Sequence, residues 1–357
     1  MSEEHQLFDR EPAVAGQFYP FRPEKLRKEL KALFAAAIPK QCEGVRAIIS
    51  PHAGYVFSGE VSASSFNQID TGVHYERVFL ISSSHQARFE GASVYCEGDF
   101  LMPYGKEEVD CDFGMALVKD HPDLFNKDKY PHRGEHSIEV QLPFLHFVLK
   151  KKYKIVPILL GTVHPMQCKR IAAVLKPWLN ANNLFVISSD FSHYTDYEHA
   201  KSIDAITEQA ILSNDPEHLY ATLKENANRE IPQLFTSLCG WTSVLTLLYM
   251  TTHEEIYQYH HILYKNSGDA GIHGDHDRVV GYCAIAVTES KKEIEEFSLS
   301  DQEKQLLLQE ARHTIERLFG TAGQPPMKPR DCSGGLTARC GAFVTLHQTV
   351  VFAVAAG

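Results

Sequence analysis

The sequence predicts an α/β protein, with a central, largely parallel sheet flanked by helices. Three observations carry that expectation. Short apolar runs rich in strand-favouring residues alternate with segments of helical spacing, the order that builds a parallel sheet. Three of those runs, "VRAIIS", "RVFLISS" and "LFVISS", pass directly into a histidine-bearing turn, and open α/β sheets present ligand groups at the carboxyl ends of their strands. Finally, 357 residues with 44% hydrophobic content are enough to bury a sizeable core.

Taken in order, "EKLRKELKALFAAA" (24–37) has the apolar spacing of a helix. A strand is predicted at 46–50, a helix at 58–69, strands at 77–83 and 92–97, and a helix at 112–120. "EHSIEVQLPFLHFVLK" (135–150) reads as one amphipathic helix. A strand at 154–161, a helix at 166–179 and a strand at 184–189 repeat the alternation. "SLCGWTSVLTLLYMTTH" (237–253) is apolar enough for a buried helix. Two last strands, 257–265 and 278–287, flank a Gly- and Asp-rich loop that lets them pair as neighbours. The main domain is predicted to span 8–290, followed by a charged linker at 291–300. Ser300 with Glu303 three residues on is a capping-box signature, and it opens a helix in a C-terminal segment, 301–357. That segment is too short for a core of its own, and 320–357 are expected to lack a stable fold.

The formal charge is −10, and the one basic cluster is "KKKYK" at 150–154, so nucleic acid is excluded as a main partner. The first residues are charged and no run approaches the ~20 apolar residues of a membrane span, so a cytoplasmic protein with no membrane partner is expected. Eight cysteines without a C-x-x-C pair point to free thiols. Neither a Walker loop nor a G-x-S-x-G elbow is present.

His52, His85 and His193 each follow a different strand, which makes them candidate ligands of one divalent transition metal. The competing reading is that among 19 histidines some end strands by chance, each hydrogen-bonded in its loop. His164 also follows a strand and is a fourth candidate by position. Asp190 could ligate the metal, orient a histidine or carry a proton; its ordinary role would be to cap the following turn. His136 stands at a helix start as a general base or substrate contact, while Glu135 and Glu139 read as charges compensating the helix dipole. Cys239 precedes an apolar helix, where the dipole would favour a reactive or metal-linked thiolate; a small buried cysteine is the alternative.

On these residues the chain resembles the Memo family, component B of the AmmeMemoRadiSam set. The motifs are "REPAVAGQFYP", "PHAGYVFSG", "SSSHQ", "EHSIEVQLPF", "ISSDFSHY", "LCGWTS" and "GYCAIAV". The resemblance implies a fold like that of the LigB-type class III extradiol dioxygenases, which use non-heme Fe(II). It also implies a metal pocket of His52, His85 and His193 with Asp190 and Cys239 nearby, and it gives His164 no counterpart. The dioxygenases use two histidines and a carboxylate, so their activity does not pass to this chain with the fold, and Cu or Zn compete with Fe(II). The function implied is a non-heme metal redox or oxygen-dependent enzyme, of dioxygenase-like oxidoreductase type, acting on a small molecule. One alternative is a binding or scaffold protein that recognises a peptide or works with the radical-SAM and component A proteins of the set. Another is a Zn-dependent hydrolase. The tail, "LSDQEKQLLLQEARHTIERLF" and "CGAFVTLHQ", resembles the start of the AMME-syndrome-candidate family, component A. It then departs into "TVVFAVAAG", which reads as a fusion truncated by a frameshift.

Overall fold

The structure, a computed structural model, describes residues 8–290 and 300–318. The chain divides into two units, Met1–Lys291 and Lys292–Gly357. The strands of the first are β1 (Val45–Ser50), β2 (Arg77–Ser83), β3 (Ala92–Val94), β4 (Phe100–Met102), β5 (Gly105–Glu107), β6 (Phe125–Asn126), β7 (Lys154–Leu160), β8 (Asn183–Ser188), β9 (Tyr257–Asn266) and β10 (Gly281–Glu289). Eight of them form one sheet in the order β6-β3-β7-β2-β8-β1-β10-β9, and β4 pairs with β5 in a hairpin. The central four, β7, β2, β8 and β1, are parallel to one another. The last two strands pair with each other as expected, antiparallel, and β10 runs antiparallel to β1.

The helices are α1 (Pro23–Ala36), α2 (Tyr55–Phe66), α3 (Cys111–Asp120), α4 (Tyr130–Arg133), α5 (His136–Glu139), α6 (Leu142–Val148), α7 (Pro165–Leu175), α8 (Tyr197–Leu212), α9 (Pro216–Asn228) and α10 (Trp241–Thr251). They lie on both faces because successive strand side chains point to opposite sides of the sheet. Ile48 joins Val78, Leu80 and Val186 in a core closed by Leu30 of α1, Phe66 of α2 and Phe144 of α6. Its neighbours Ala47 and Ile49 join Ile81 and Ile187 in a second core, closed by Ile171 of α7, Ile211 of α8 and Leu248 of α10. Phe79 and Phe185 are cross-strand partners in this second core, with rings stacked 4.5 Å apart. Such a pair adds ~0.5–1.5 kcal/mol beyond its burial.

Three expectations are corrected. The helix foreseen over 135–150 is two, α5 and α6, because Pro143 cannot sit inside a continuous helix and instead takes a first-turn position of α6. The strand foreseen over 92–97 is only β3, antiparallel to β7. Helices α8 and α9 were not foreseen, although each announces itself: Asp196 and Asp215 accept hydrogen bonds from the first-turn amides, and Pro216 follows Asp215.

In the second unit, α11 (Asp301–Leu318) starts with the expected capping box. Glu303 N–H donates to Ser300 Oγ at 3.3 Å, and Ser300 N–H donates to Glu303 Oε2 at 2.8 Å. Residues 291–299 and 319–357 lie outside the described residues, and with them the expected linker and the truncated tail. No described helix is long and apolar enough to cross a membrane. The six described cysteines are free.

One buried ion pair ties the lead segment to α5. Arg10 Nη1 donates to Glu139 Oε2 at 2.7 Å, with side chains 3% and 0% exposed. The same carboxylate accepts from the amides of Ala13 and Val14 and from Tyr19 Oη. Arg10 also donates to the carbonyls of His132 and Glu135. Glu139 is therefore a buried hub and not a dipole-compensating surface charge.

Candidate metal centre

Strand register brings the candidate residues to one edge of the sheet. Ser50 of β1 and Ser82 of β2 both pair with Ser188 of β8. Two residues beyond the end of each strand stand His52, His85 and Asp190, which therefore lie within a residue of the same level. The turn after β8 is not the exposed loop its polar letters suggest, since Phe191 and Ser192 are fully buried. Phe191 N–H donates to Gly281 O at 2.8 Å, His193 N–H to Thr236 O at 3.0 Å, and Tyr194 N–H to Val279 O at 2.7 Å. Asp204 of α8 accepts from the amide and hydroxyl of Ser192, both at 2.9 Å, and from Tyr264 Oη at 2.8 Å. A Cβ at position 281 would stand 1.8 Å from Asp204 Oδ2, so only glycine fits where β10 passes this carboxylate. Gly240 serves the same end, because a Cβ there would meet Ser188 O at 2.7 Å and push α10 away from the end of β8.

Hydrogen bonds at Nδ1 set which nitrogen of each histidine is free. Ser188 Oγ donates to Ser137 O at 2.7 Å and accepts from Gln141 Nε2 at 2.9 Å. With its one proton committed, it accepts from His52 Nδ1 at 2.8 Å, which leaves the lone pair on Nε2. Glu135 does the same for His85: one oxygen accepts the His85 amide at 2.7 Å and the other accepts Nδ1 at 3.0 Å. Both ligand candidates thus turn Nε2 toward the cluster, as metal-binding histidines do when a protein acceptor holds the other nitrogen.

The donor atoms of His52, His85 and His136 lie within 4.8 Å of one another, and so do those of His52, Asp190 and Cys239. His52 Nε2 is 3.2 Å from Cys239 Sγ and 3.9 Å from Asp190 Oδ2. His193 belongs to neither group, but its Nε2 is also 3.9 Å from Asp190 Oδ2 and is buried with no hydrogen-bond partner. Asp190 Oδ1 meanwhile accepts the His52 amide at 2.7 Å. His136 is drawn closer to the cluster than its reading as a base or substrate contact requires, its ring 5.3 Å from that of His52 and 5.2 Å from that of His85. His164 is exposed and sits at the start of α7.

Burial and mutual proximity decide the charges. Burial first, then His85, His136 and His193, holds His52 well below the ordinary histidine range. Burial and the same kind of neighbours push His193 down to about 4, and burial lowers His136. Burial opposes protonation of His85 too, yet hydrogen bonds to Cys239 and Glu135 outweigh it and raise it to about 10. Glu135, despite its burial, is held down to about 2 by His85. Burial pushes Asp190 up to about 7 against the amide hydrogen bonds of His52 and Ala53. The dipole argument for Cys239 is overturned: burial raises its thiol pKa, and the hydrogen bond to His85 does not compensate.

Imidazoles held toward the neutral form at His52, His136 and His193, a thiol and a carboxyl on one edge, with His85 beside them and one buried ring nitrogen unpartnered, fit a divalent transition metal once His85 exchanges its proton for the ion. Sequence reasoning missed the partners that orient them, Ser188, Gln141 and Asp204, and misjudged Glu135. The available signal was that Glu135 directly precedes His136 in a motif. A cavity of about 300 Å³ lined by Tyr220, Phe235 and Trp241 lies against Thr236–Leu238, the segment leading into Cys239. A larger one, about 1280 Å³, lies near Lys169, Glu217 and His260, and neither cavity is lined by a candidate ligand.

The model of the Memo family, described as "Memo-like protein", matches residues 10–286. A MEMO1 family protein of Methanosarcina mazei is 33% identical over 282 residues, which cover 78% of this chain and 98% of that protein. One from Aquifex aeolicus is 34% identical over 277 residues, with 77% and 98% covered. Among solved structures, an uncharacterized protein, JW3007 from Escherichia coli K12, aligns with 66% of this chain and 98% of its own at a TM-score of 0.42 and 11% identity. With the motifs around His52, His85, His136, Asp190 and Cys239 all inside the matched span, the chain belongs to the Memo family.

Proposed function

We propose that this edge of the sheet holds a divalent transition metal, Fe(II) first with Cu or Zn as alternatives, and performs redox or oxygen-dependent chemistry on a small molecule. The carrying observation is that Nδ1 of both His52 and His85 is held by an acceptor of the protein, so that Nε2 of each is the nitrogen turned toward the cluster with Cys239 and Asp190. His52, His85 and His193 would hold the ion, with Cys239 or Asp190 within reach as a further ligand. As Fe(II) or Cu the ion would supply a one-electron couple and an open coordination position, whereas Zn would supply only the open position and a Lewis acid.

The rest is work for the chain itself. Glu135 and Ser188 hold the two imidazoles in one tautomer and orientation. Asp190, with one oxygen on the His52 amide and the other facing two imidazoles, can hold or pass a proton at Oδ2. His136, the residue after Glu135, can contact a substrate or accept its proton. The cavity against Thr236–Leu238, lined by Tyr220, Phe235 and Trp241 together with Lys224 and Arg229, has the dimensions for a small molecule.

The test is Fe(II) loading without air, metal analysis and oxygen uptake with candidate aromatic substrates, on the full chain and on His193→Ala. Bound iron with uptake, both lost in the variant, supports the reading. Zinc with ester or amide cleavage would support the hydrolase instead. Full metal content in His193→Ala would remove that ligand, and failure to hold any metal would leave a binding protein for peptides or for radical-SAM and component A partners.

A further inference from the structure

A second group of metal-type donors meets on the sheet face covered by α8. Glu208 of α8, His261 of β9 and Cys283 of β10 bring their donor atoms within 4.8 Å of one another. Cys283 Sγ donates to Glu208 Oε1 at 3.3 Å, and His261 Nδ1 bonds the same oxygen. Cys283 is fully buried, while the His261 side chain is 46% exposed, so the cluster has a closed floor and an open side.

A backbone irregularity creates this arrangement. Ala284 pairs with Leu263 but Ile285 pairs with His261, so β9 holds one residue more than β10 at this point. Ile262 and Leu263, consecutive in sequence, consequently pack on the same core, the one opposite α8. In an unbroken strand His261 and Tyr264, three residues apart, would face opposite sides. The bulge turns both toward α8, where Tyr264 Oη reaches Asp204 and His261 reaches Glu208 one helical turn further on. Bulges that re-aim a side chain are concentrated at functional positions.

We infer that Glu208, His261 and Cys283 form a second site, separate from the His52 pocket, for a divalent ion of the zinc class with its remaining position open to solvent beside His261. Carboxylate, imidazole and thiolate are ligands zinc accepts, and three protein ligands leave a tetrahedral ion one position for water. The sulfur–oxygen separation of 3.3 Å suits two donors on one ion at bond lengths of ~2.0–2.3 Å. On binding, the thiol proton and the proton shared by His261 and Glu208 pass to solvent, so affinity rises with pH. The bound ion joins α8, β9 and β10, elements distant in sequence, and so raises the melting temperature.

The experiment is a Co²⁺ titration of the full chain carrying His52→Ala and Cys239→Ala, which removes a ligand from both donor groups of the first pocket. One equivalent should bind with a thiolate-to-cobalt charge-transfer band in the near ultraviolet, and Zn²⁺ should displace it. Adding His261→Ala, a half-exposed position whose change leaves the core intact, should weaken binding at least ~10-fold and abolish the band. Should the starting double variant not fold by circular dichroism, His261→Ala in the otherwise unchanged chain should lower bound Zn²⁺ by one equivalent. No band in the starting variant, a band indifferent to His261→Ala, or unchanged Zn²⁺ content would each overturn the second site. None of these results would bear on the first pocket.

Discussion

Glu139→Ala is the perturbation that most directly tests how the lead segment supports the site. It strips the acceptor from Arg10 Nη1, the Ala13 and Val14 amides and Tyr19 Oη, all at 2.7–3.0 Å. Three neutral donors at about 1 kcal/mol each and one charge-assisted bond at about 2 kcal/mol give a loss near 5 kcal/mol. That agrees with the ~3–5 kcal/mol seen when one partner of a buried ion pair is removed. Arg10 keeps its bonds to the His132 and Glu135 carbonyls, so the lower part of that range, about 3–4 kcal/mol, is expected. Urea unfolding at neutral pH followed by circular dichroism measures it. In a double-mutant cycle, Arg10→Met with Glu139→Leu should cost less than the sum of the single changes, because no charge is then left buried alone. Metal affinity should fall as well, since α5 carries His136 and follows Glu135. A loss under about 1 kcal/mol, or strict additivity in the cycle, would refute the argument that this pair anchors α5.

Glu135→Gln should leave the fold in place but weaken metal binding ~10–100-fold, because the His85 ring loses the carboxylate that orients it; unchanged affinity in a Zn²⁺ titration would make Glu135 merely structural. Gly281→Ala should cost about 1–3 kcal/mol by driving a methyl group into Asp204, and should loosen the turn that bears Asp190 and His193; a wild-type melting temperature would show that Asp204 moves freely. His132 is 1% exposed, and burial first, then the Arg10 charge, pushes it from the ordinary 6.5 down to about 3. Protonation therefore favours the unfolded chain: this contribution is fully present above pH 6.5 and is lost as the pH falls toward about 3. Between pH 6.5 and about 5 it costs about 2 kcal/mol, and His132→Gln should flatten the urea midpoints over that interval. Equal pH slopes for the two proteins would rule this out.

The fold was legible in the sequence because most of its signal is local. Apolar runs such as "RVFLISS" are buried along almost their whole length, the property that marks an interior parallel strand. The short strands β4, β5 and β6 carry too few residues for a period to show, and Pro143 interrupted what its neighbours' spacing presented as one helix. The caps that announce α8 and α9, Asp196 and Asp215, are equally local, each marking the start of its helix in the sequence.

The site divides along the same line. That His52, His85 and Asp190 each stand two residues past an apolar strand is written in the chain, and so is the chemistry of their side chains. Which ring nitrogen faces the cluster, why burial raises the Cys239 thiol, and how near His136 comes were decided by contacts across 47 to 187 positions of sequence. Those depend on the pairing of Ser50 and Ser82 with Ser188 and on the depth of burial, which follow from how the strands pack together. The meeting of Glu208, His261 and Cys283 depends on more still, a one-residue slip in the pairing of β9 with β10. Local propensity sets which residues become strand ends; only the closed sheet sets which of them share a level, a face and a dielectric, because hydrogen-bond register and desolvation are properties of the assembled layers.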